Sequence, residues 1–560
     1  MSPTTEDHSQ TREIPGTVRL FAENGELLQS TVELIPKPSD DPEDPLNWSP
    51  RRKTVNLSCL IFYTFAVAVS ATSLYSIYGP LSDAIGLTLD ELNVGAGYSY
   101  WAIGISSCII QPCAIAFGKR PIFILAALSG GLLFIWTNYI SSNSLWILSR
   151  LLIGFSGGPS FSLVEIAITD VFFLHQRAFP LGLYVFVLYV GALVGPLLSG
   201  YIYEGMGWKA VVWFTTGLSL LATLVMVFGF EETNFTREEP SVALEVVPGS
   251  NHSLARLEGD RSSHGISLVP DTSVDESDSK SKDRNQDAVM VQPVAQRWIW
   301  PRVWQRSKVS PHAFGIIKRG IVQPFALMRL PIILWCGVMY GVYQVFFNLF
   351  GFLSSGVLTA PPYNFGTGAT GLTFLSPLLG TIPSAIWGGW LCNIYSLRQA
   401  RKNHGISKAE HKLKLYIIPT VLAPIGLLMM GLGPFYGAHW IVYVAGECIL
   451  NLAGPLATLL IIAYAFDVFH SIDPDDSQGP KAAAQDCAPY LTAIIFIGMS
   501  VTFAFGYAIT PWSFLWSFKL FGITAAIGVT ALNASVLLIV WYGKTLRQNG
   551  EGYYRKVINW

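Results

Sequence analysis

Three ionisable side chains, Arg150, Glu165 and Glu447, stand deep inside long apolar stretches of a 560-residue chain. A charge in the apolar core of a bilayer costs about 2.5–3.5 kcal/mol on insertion scales, so each such residue is a functional candidate. A carboxyl at that depth can bind a proton and release it when a cation or water arrives. Glu447 lies about 12 Å into its helix at 1.5 Å per residue, close to the midplane. It is the first candidate for a proton-linked group, the alternative being a protonated, hydrogen-bonded structural Glu. On that view Glu447→Gln abolishes the proton-linked function and leaves folding intact. Arg150 lies about 8 Å from the outer end of its helix, where an Arg can also snorkel to the interface. Tyr340, Gln344, Phe347 and Asn348 fall on or near one helical face. They suit a pocket wall for a flat or amphipathic organic molecule, or plain packing.

The elements that must position these residues are membrane spans. Only 13% of the chain is charged, and 51% is hydrophobic, against roughly 25% charged in an ordinary soluble domain. Of the 73 charged side chains, 42 lie in two polar blocks, 16 in residues 1–53 and 26 in residues 231–329. About 20 apolar residues cross a bilayer. That ruler predicts six spans near 54–80, 92–115, 121–140, 145–170, 179–203 and 209–230. Six more follow near 328–357, 367–393, 415–433, 439–465, 488–510 and 518–543. The expected division is an N-terminal tail 1–53, a six-helix half 54–230, a linker 231–327, a second half 328–543 and a tail 544–560.

An even number of spans places both termini on one side. Basic residues, among them Arg51, Arg52, Lys53, Lys119, Arg120, Arg401, Lys412 and Arg547, gather on the side of the termini, leaving Lys209 and Lys519 opposite. The positive-inside bias therefore predicts cytosolic termini and linker. The linker from about 237 to 288, rich in Ser, Thr, Asp and Glu, is expected to be disordered. Residues 297–306 mix Arg with three Trp and suit an anionic lipid surface or an irregular stretch. The near-neutral net charge of −1 gives no reason to expect nucleic acid. The seven cysteines form no CxxC pair, so neither a metal site nor a disulfide framework is expected.

Six spans, a linker and six spans is the layout of a transporter that holds its substrate near the midplane between two halves. Traces of a repeat are present. Trp146-Ile147 and Gly158-Pro159 of span 4 are echoed by Trp440-Ile441 and Gly454-Pro455 of span 10, with Asp170 and Asp467 near the cytosolic ends. In span 5, Gly182, Gly191, Gly195, Pro196 and Gly200 stand in the order G-x8-G-x3-G-P-x2-S-G. The cluster from Gly191 to Gly200 gives the helix a small surface that a neighbouring backbone can approach, while Pro196 can bend it.

This pattern resembles the antiporter motif of the major facilitator superfamily, in its fungal twelve-span drug:proton antiporter branch, with Ser199 for a usual Gly. Other matching pieces are Asp44-Pro45-Leu46-Asn47-Trp48, Gly118-Lys119-Arg120-Pro121, Trp146 to Gly158 around Arg150, Gly207-Trp208-Lys209 and Glu231-Glu232-Thr233. The C-terminal half matches more loosely, through Gln323-Pro324-Phe325 and Glu410-His411-Lys412-Leu413. The resemblance implies an all-α membrane fold of two pseudo-symmetric six-helix halves, a cytosolic gate at Gly118, Lys119 and Arg120, and a part for Arg150 in proton transfer. It also aligns Glu165 with a Glu of fungal relatives, hence a second cation or proton site. Asp170 and Asp467 would be gate or cap residues.

Three positions depart from the family pattern. The acid expected before the basic turn is Ile115, the Gln expected three residues after Arg150 is Ile153, and the acid expected after span 8 is Asn393. Lys119 and Arg120 should then rely on lipid or helix-end partners. The expected function is proton-coupled export of a drug-like compound or secondary metabolite. Uptake of a polyamine-like organic cation and a non-transporting nutrient receptor remain as alternatives. The expected partners are a small organic substrate, protons and the lipid bilayer, with no cofactor. The chain should act as a monomer in the plasma membrane rather than the vacuole. An enzyme is not expected, because the His residues avoid the middles of the spans and no phosphate-cradling loop occurs.

Overall fold

Serine, threonine and glycine set the ends of the helices. Ser49 accepts from the Arg52 N–H at the start of the first span, and Thr88 and Glu91 form a reciprocal capping box on the second. Ser142 caps the fourth. Gly118 at φ 102° and Gly207 at φ 80° turn the chain between spans 2 and 3 and between spans 5 and 6. A side chain would strain the backbone at either position.

The computed structural model describes residues 17–19, 39, 41, 43–173, 176–235, 313–403, 406–470, 487–515 and 517–558. The expected linker disorder near 237–288 and the Trp-Arg segment 297–306 lie outside the described residues. Among the described residues, twelve helices are long and apolar enough to cross a membrane. Spans 1–6 are Pro50–Ile85, Leu89–Phe117, Lys119–Tyr139, Asn143–Val171, Phe179–Met206 and Trp208–Gly229. Spans 7–12 are Pro331–Leu358, Thr367–Ile386, Glu410–Phe435, Trp440–Phe469, Pro489–Ser513 and Phe518–Ile558.

Three features depart from the expected spans, two by extending past them and one, in span 8, by changing helix type inside the expected range. A helix, Ala313–Leu327, precedes span 7, span 8 passes into a π-helical turn at Trp387–Leu391, and span 12 continues through 41 residues. Departing from helix, Thr17–Arg19 pairs antiparallel with Ile406–Lys408, Thr17 opposite Lys408.

Span 4 breaks at Gly158-Pro159 into Asn143–Gly157 and Pro159–Val171. Proline lacks the N–H needed inside a helix, and a Cβ at Gly158 would collide with Ser106 of span 2. Span 10 carries the matching Pro455 without a break. A Cβ at Gly191 would stand 2.9 Å from the Ala68 Cβ, and one at Gly195 2.6 Å from the Val69 carbonyl oxygen, so both glycines admit span 1. Gly200 faces span 8 instead, where its Cβ would stand 3.0 Å from the Gly371 Cα. Gly182 stands apart, with nothing within 4 Å of its Cβ position.

The two halves meet at the end far from the chain termini. There the Gly79 N–H donates to Ser355 Oγ at 2.8 Å, the Gly368 N–H to Glu204 Oε1 at 2.6 Å, and Asn93 Nδ2 to Thr510 Oγ1 at 3.0 Å. Nearer the middle, the Tyr100 hydroxyl of span 2 donates to Asn348 Oδ1 of span 7 at 2.6 Å. At the termini end, the Thr492 hydroxyl donates to Gln111.

Candidate functional site

Between the halves lies a cavity bordered by spans 4, 5, 7, 10 and 11. Its wall is built from pairs four residues apart, Phe161 and Glu165, Val185 and Tyr189, Tyr340 and Gln344, Thr458 and Ile462. Residues at that spacing share one helical face. Glu165 sits about 9 Å from the termini end of span 4 at 1.5 Å per residue. It brings the one carboxylate among the described lining residues, and none of them is basic. Around it are the rings of Phe161, Tyr184, Tyr189 and Tyr340. Tyr184 is fixed by donating to the Ser160 carbonyl at 2.7 Å.

An acidic group among aromatic faces favours a cation, which the carboxylate attracts by charge and the rings by their quadrupoles. Of the candidates on span 7, Tyr340 and Gln344 line this cavity. Phe347 lies behind it, its ring edge-on to Tyr189 at 4.6 Å, and Asn348 is occupied by the Tyr100 hydroxyl. Tyr184 and Tyr189 were missed in the sequence. Their signal was the same as that of Tyr340, a phenol repeated along a helix of otherwise apolar residues.

Glu447 and Arg150 belong to other surroundings. Glu447 is fully buried, accepts from Asn451 Nδ2 at 2.5 Å, and lies outside the Glu165 cavity. Its second oxygen, Asn451 Oδ1 and the Tyr443 hydroxyl have no hydrogen-bond partner among the described residues. Arg150 borders a separate cavity within the N-terminal half. Among the described residues no group of three or more His, Cys, Asp or Glu is placed to hold a metal ion.

At the termini end, the acid lacking at Ile115 is replaced from two directions. Lys119 pairs with Asp170 at the end of span 4. The backbone N–H groups of Lys119 and Arg120 donate to the two Glu232 oxygens at 3.0 and 3.2 Å. Arg120 also donates to the Val227 carbonyl at 2.7 Å, and Arg52 pairs with Glu231 at 2.6 Å. In the other half, Lys412 pairs with Asp467 at 2.7 Å and Arg547 with Glu410 at 2.5 Å. Each of these pairs closes within one half, so each stiffens a six-helix body rather than bridging the two. The side chain of Asn393 falls outside the described positions.

Residues 60–479 match the sequence signature of the Major Facilitator Superfamily. The chain is 25% identical to Protein HOL1 of Saccharomyces cerevisiae over 588 residues, covering 98% of this chain and 97% of that protein. It is also 25% identical over 477 residues, 82% of each chain, to an MFS-type transporter of Schizosaccharomyces pombe. An Aspergillus flavus protein named "Probable efflux pump mfs2" is 23% identical over 85% of this chain and 98% of its own. Among solved structures, the proton:xylose symporter XylE superposes with a TM-score of 0.55 at 12% identity, covering 88% of this chain and 96% of that one. At that identity the likeness concerns the fold. The signature, the twelve spans and the two-half fold agree: the chain belongs to the Major Facilitator Superfamily, as a multi-pass membrane transporter of small molecules rather than an enzyme.

Proposed function

We propose that this transporter is proton-coupled and exchanges an organic cation for protons across the membrane. The carrying observation is Glu165, a carboxylate facing the cavity between the halves among four aromatic rings and no basic side chain of the described lining. A carboxylate that holds a proton or a cation, but not both, couples the two flows in opposite directions. The cytosol holds the termini, on the bias of Arg and Lys toward that end, so exchange at a plasma membrane with an inward proton gradient exports the cation. A drug-like amine or a basic secondary metabolite matches the charge and aromatic lining of the cavity. The efflux name of the Aspergillus flavus relative agrees with this direction.

A second reading is favoured by Glu447. A buried carboxyl outside the Glu165 cavity can carry a proton without meeting the substrate, which is the arrangement for uptake of a polyamine-like cation together with a proton. Flux measured in inside-out vesicles separates these readings. Cation accumulation driven by an acidic interior supports exchange, the opposite dependence supports uptake, and signalling without flux would point to a receptor.

A further inference from the structure

Arg150 borders a cavity within the N-terminal half, walled by spans 1, 2, 3, 4 and 6. Only 5% of the residue is exposed. Its guanidinium donates to Thr137 Oγ1 at 2.6 Å and to Ser149 Oγ at 3.4 Å, and lies 4.2 Å from the centre of the Trp146 ring. Among the described residues, no carboxylate forms an ion pair with it, and none lines the cavity. Removing an ion from water costs several kcal/mol unless an opposite charge compensates it. Two hydroxyls and two aromatic rings, Trp146 and Phe134 at 5.6 Å, bring no negative charge to cancel the positive one, and a guanidinium has five N–H donors, of which these contacts use two.

A second residue with a donor group borders the same space. Tyr78 lines the cavity, its ring edge-on to Tyr75 at 5.4 Å. Ser70 and Ser219 meet across spans 1 and 6 at 3.3 Å on the same wall. We infer that this cavity binds a small monovalent anion, a halide or a short carboxylate, between Arg150 and the Tyr78 hydroxyl. The remaining wall, including Leu74, Phe134 and Phe161, is largely apolar and favours an anion that sheds water easily.

Phe161 lines both this cavity and the one holding Glu165, so the compartment for negative charge and the one for positive charge share a wall residue. The anion site stands on the Arg150 cavity alone and does not depend on the substrate of the transporter.

Thermal unfolding of the purified full-length protein tests the assignment, at fixed ionic strength with bulky lactobionate replaced stepwise by bromide or, separately, by acetate. The wild type should gain melting temperature saturably with bromide, with acetate or with both, and the effective arm tells halide from carboxylate. Arg150→Gln should raise the half-saturating concentration about tenfold or more, as for loss of a charged hydrogen-bond donor. Tyr78→Phe, which keeps the ring, should raise it about threefold or more, and decides the matter if Arg150→Gln does not fold. Glu165→Gln should respond as the wild type does. No saturable gain with either anion, or a response unchanged in the folded variants of Arg150 and Tyr78, overturns the site.

Discussion

The Lys412 ammonium lies 2.7 Å from the Asp467 carboxylate, and Lys119 pairs with Asp170 in the other half. Each lysine stands at the start of the third span of its half, and each aspartate near the end of the fourth. The repeat, faint in the sequence, thus survives as a matched ion pair that fixes two helices of each half to one another.

The two pairs should differ in strength. The Lys119 side chain is 4% exposed and that of Asp170 18%, against 20% and 31% for Lys412 and Asp467. Breaking a buried pair costs about 3–5 kcal/mol, whereas an exposed pair contributes about 0–1 kcal/mol. Asp170→Asn should therefore lower the melting temperature in detergent clearly more than Asp467→Asn. Equal losses would contradict the burial argument.

Gly195→Ala should destabilise the N-terminal half by about 1–3 kcal/mol, a typical cost of overpacking. Its Cβ would press on the Val69 carbonyl oxygen at 2.6 Å, an atom of a rigid helix backbone. Gly182→Ala, with open space around it, should be neutral or stabilising by up to about 1 kcal/mol through helix propensity. Unfolding midpoints of the two variants make the comparison.

Tyr100→Phe removes a hydrogen bond of 2.6 Å between spans 2 and 7. A net loss of about 1 kcal/mol would shift the balance between joined and separated halves roughly fivefold. Spin labels placed on spans 1 and 7 near the far end should show a larger share of long distances. An unchanged distribution would mean that this bond does not hold the halves together.

Glu447→Gln should leave substrate affinity within about threefold, because Glu447 lies outside the cavity of Glu165. Its effect on uphill flux distinguishes two couplings. Retained flux fits exchange at Glu165, while loss of the pH-gradient dependence with intact binding places a proton on Glu447.

Hydropathy alone located all twelve spans, because a run of about 20 apolar residues leaves few other options. Gly118 and Gly207 stood in the sequence only as parts of matching motifs, and their positive φ, which selects glycine, emerges from the fold. The partners of Lys119 were not legible, since Asp170 and Glu232 come from distant helix ends that only packing brings near. Depth along the helix placed Glu447 first, but it does not tell which carboxylate lines the cavity between the halves, and Glu165 does. The ruler of 1.5 Å per residue measures how far a side chain lies along the helix, but each residue also turns the helix by about 100°. Glu165 faces the cavity between the halves with Phe161, while Glu447 turns aside with Asn451 into its own half.

The most direct test of the account is transport of a panel of organic cations, neutral compounds and anions in inside-out vesicles, with and without an acidic interior, for the wild type and Glu165→Gln. The account predicts that the wild type accumulates one or more cations only with the pH gradient. It predicts that Glu165→Gln, folded and inserted normally, loses that accumulation. Undiminished gradient-driven cation accumulation by Glu165→Gln would contradict it.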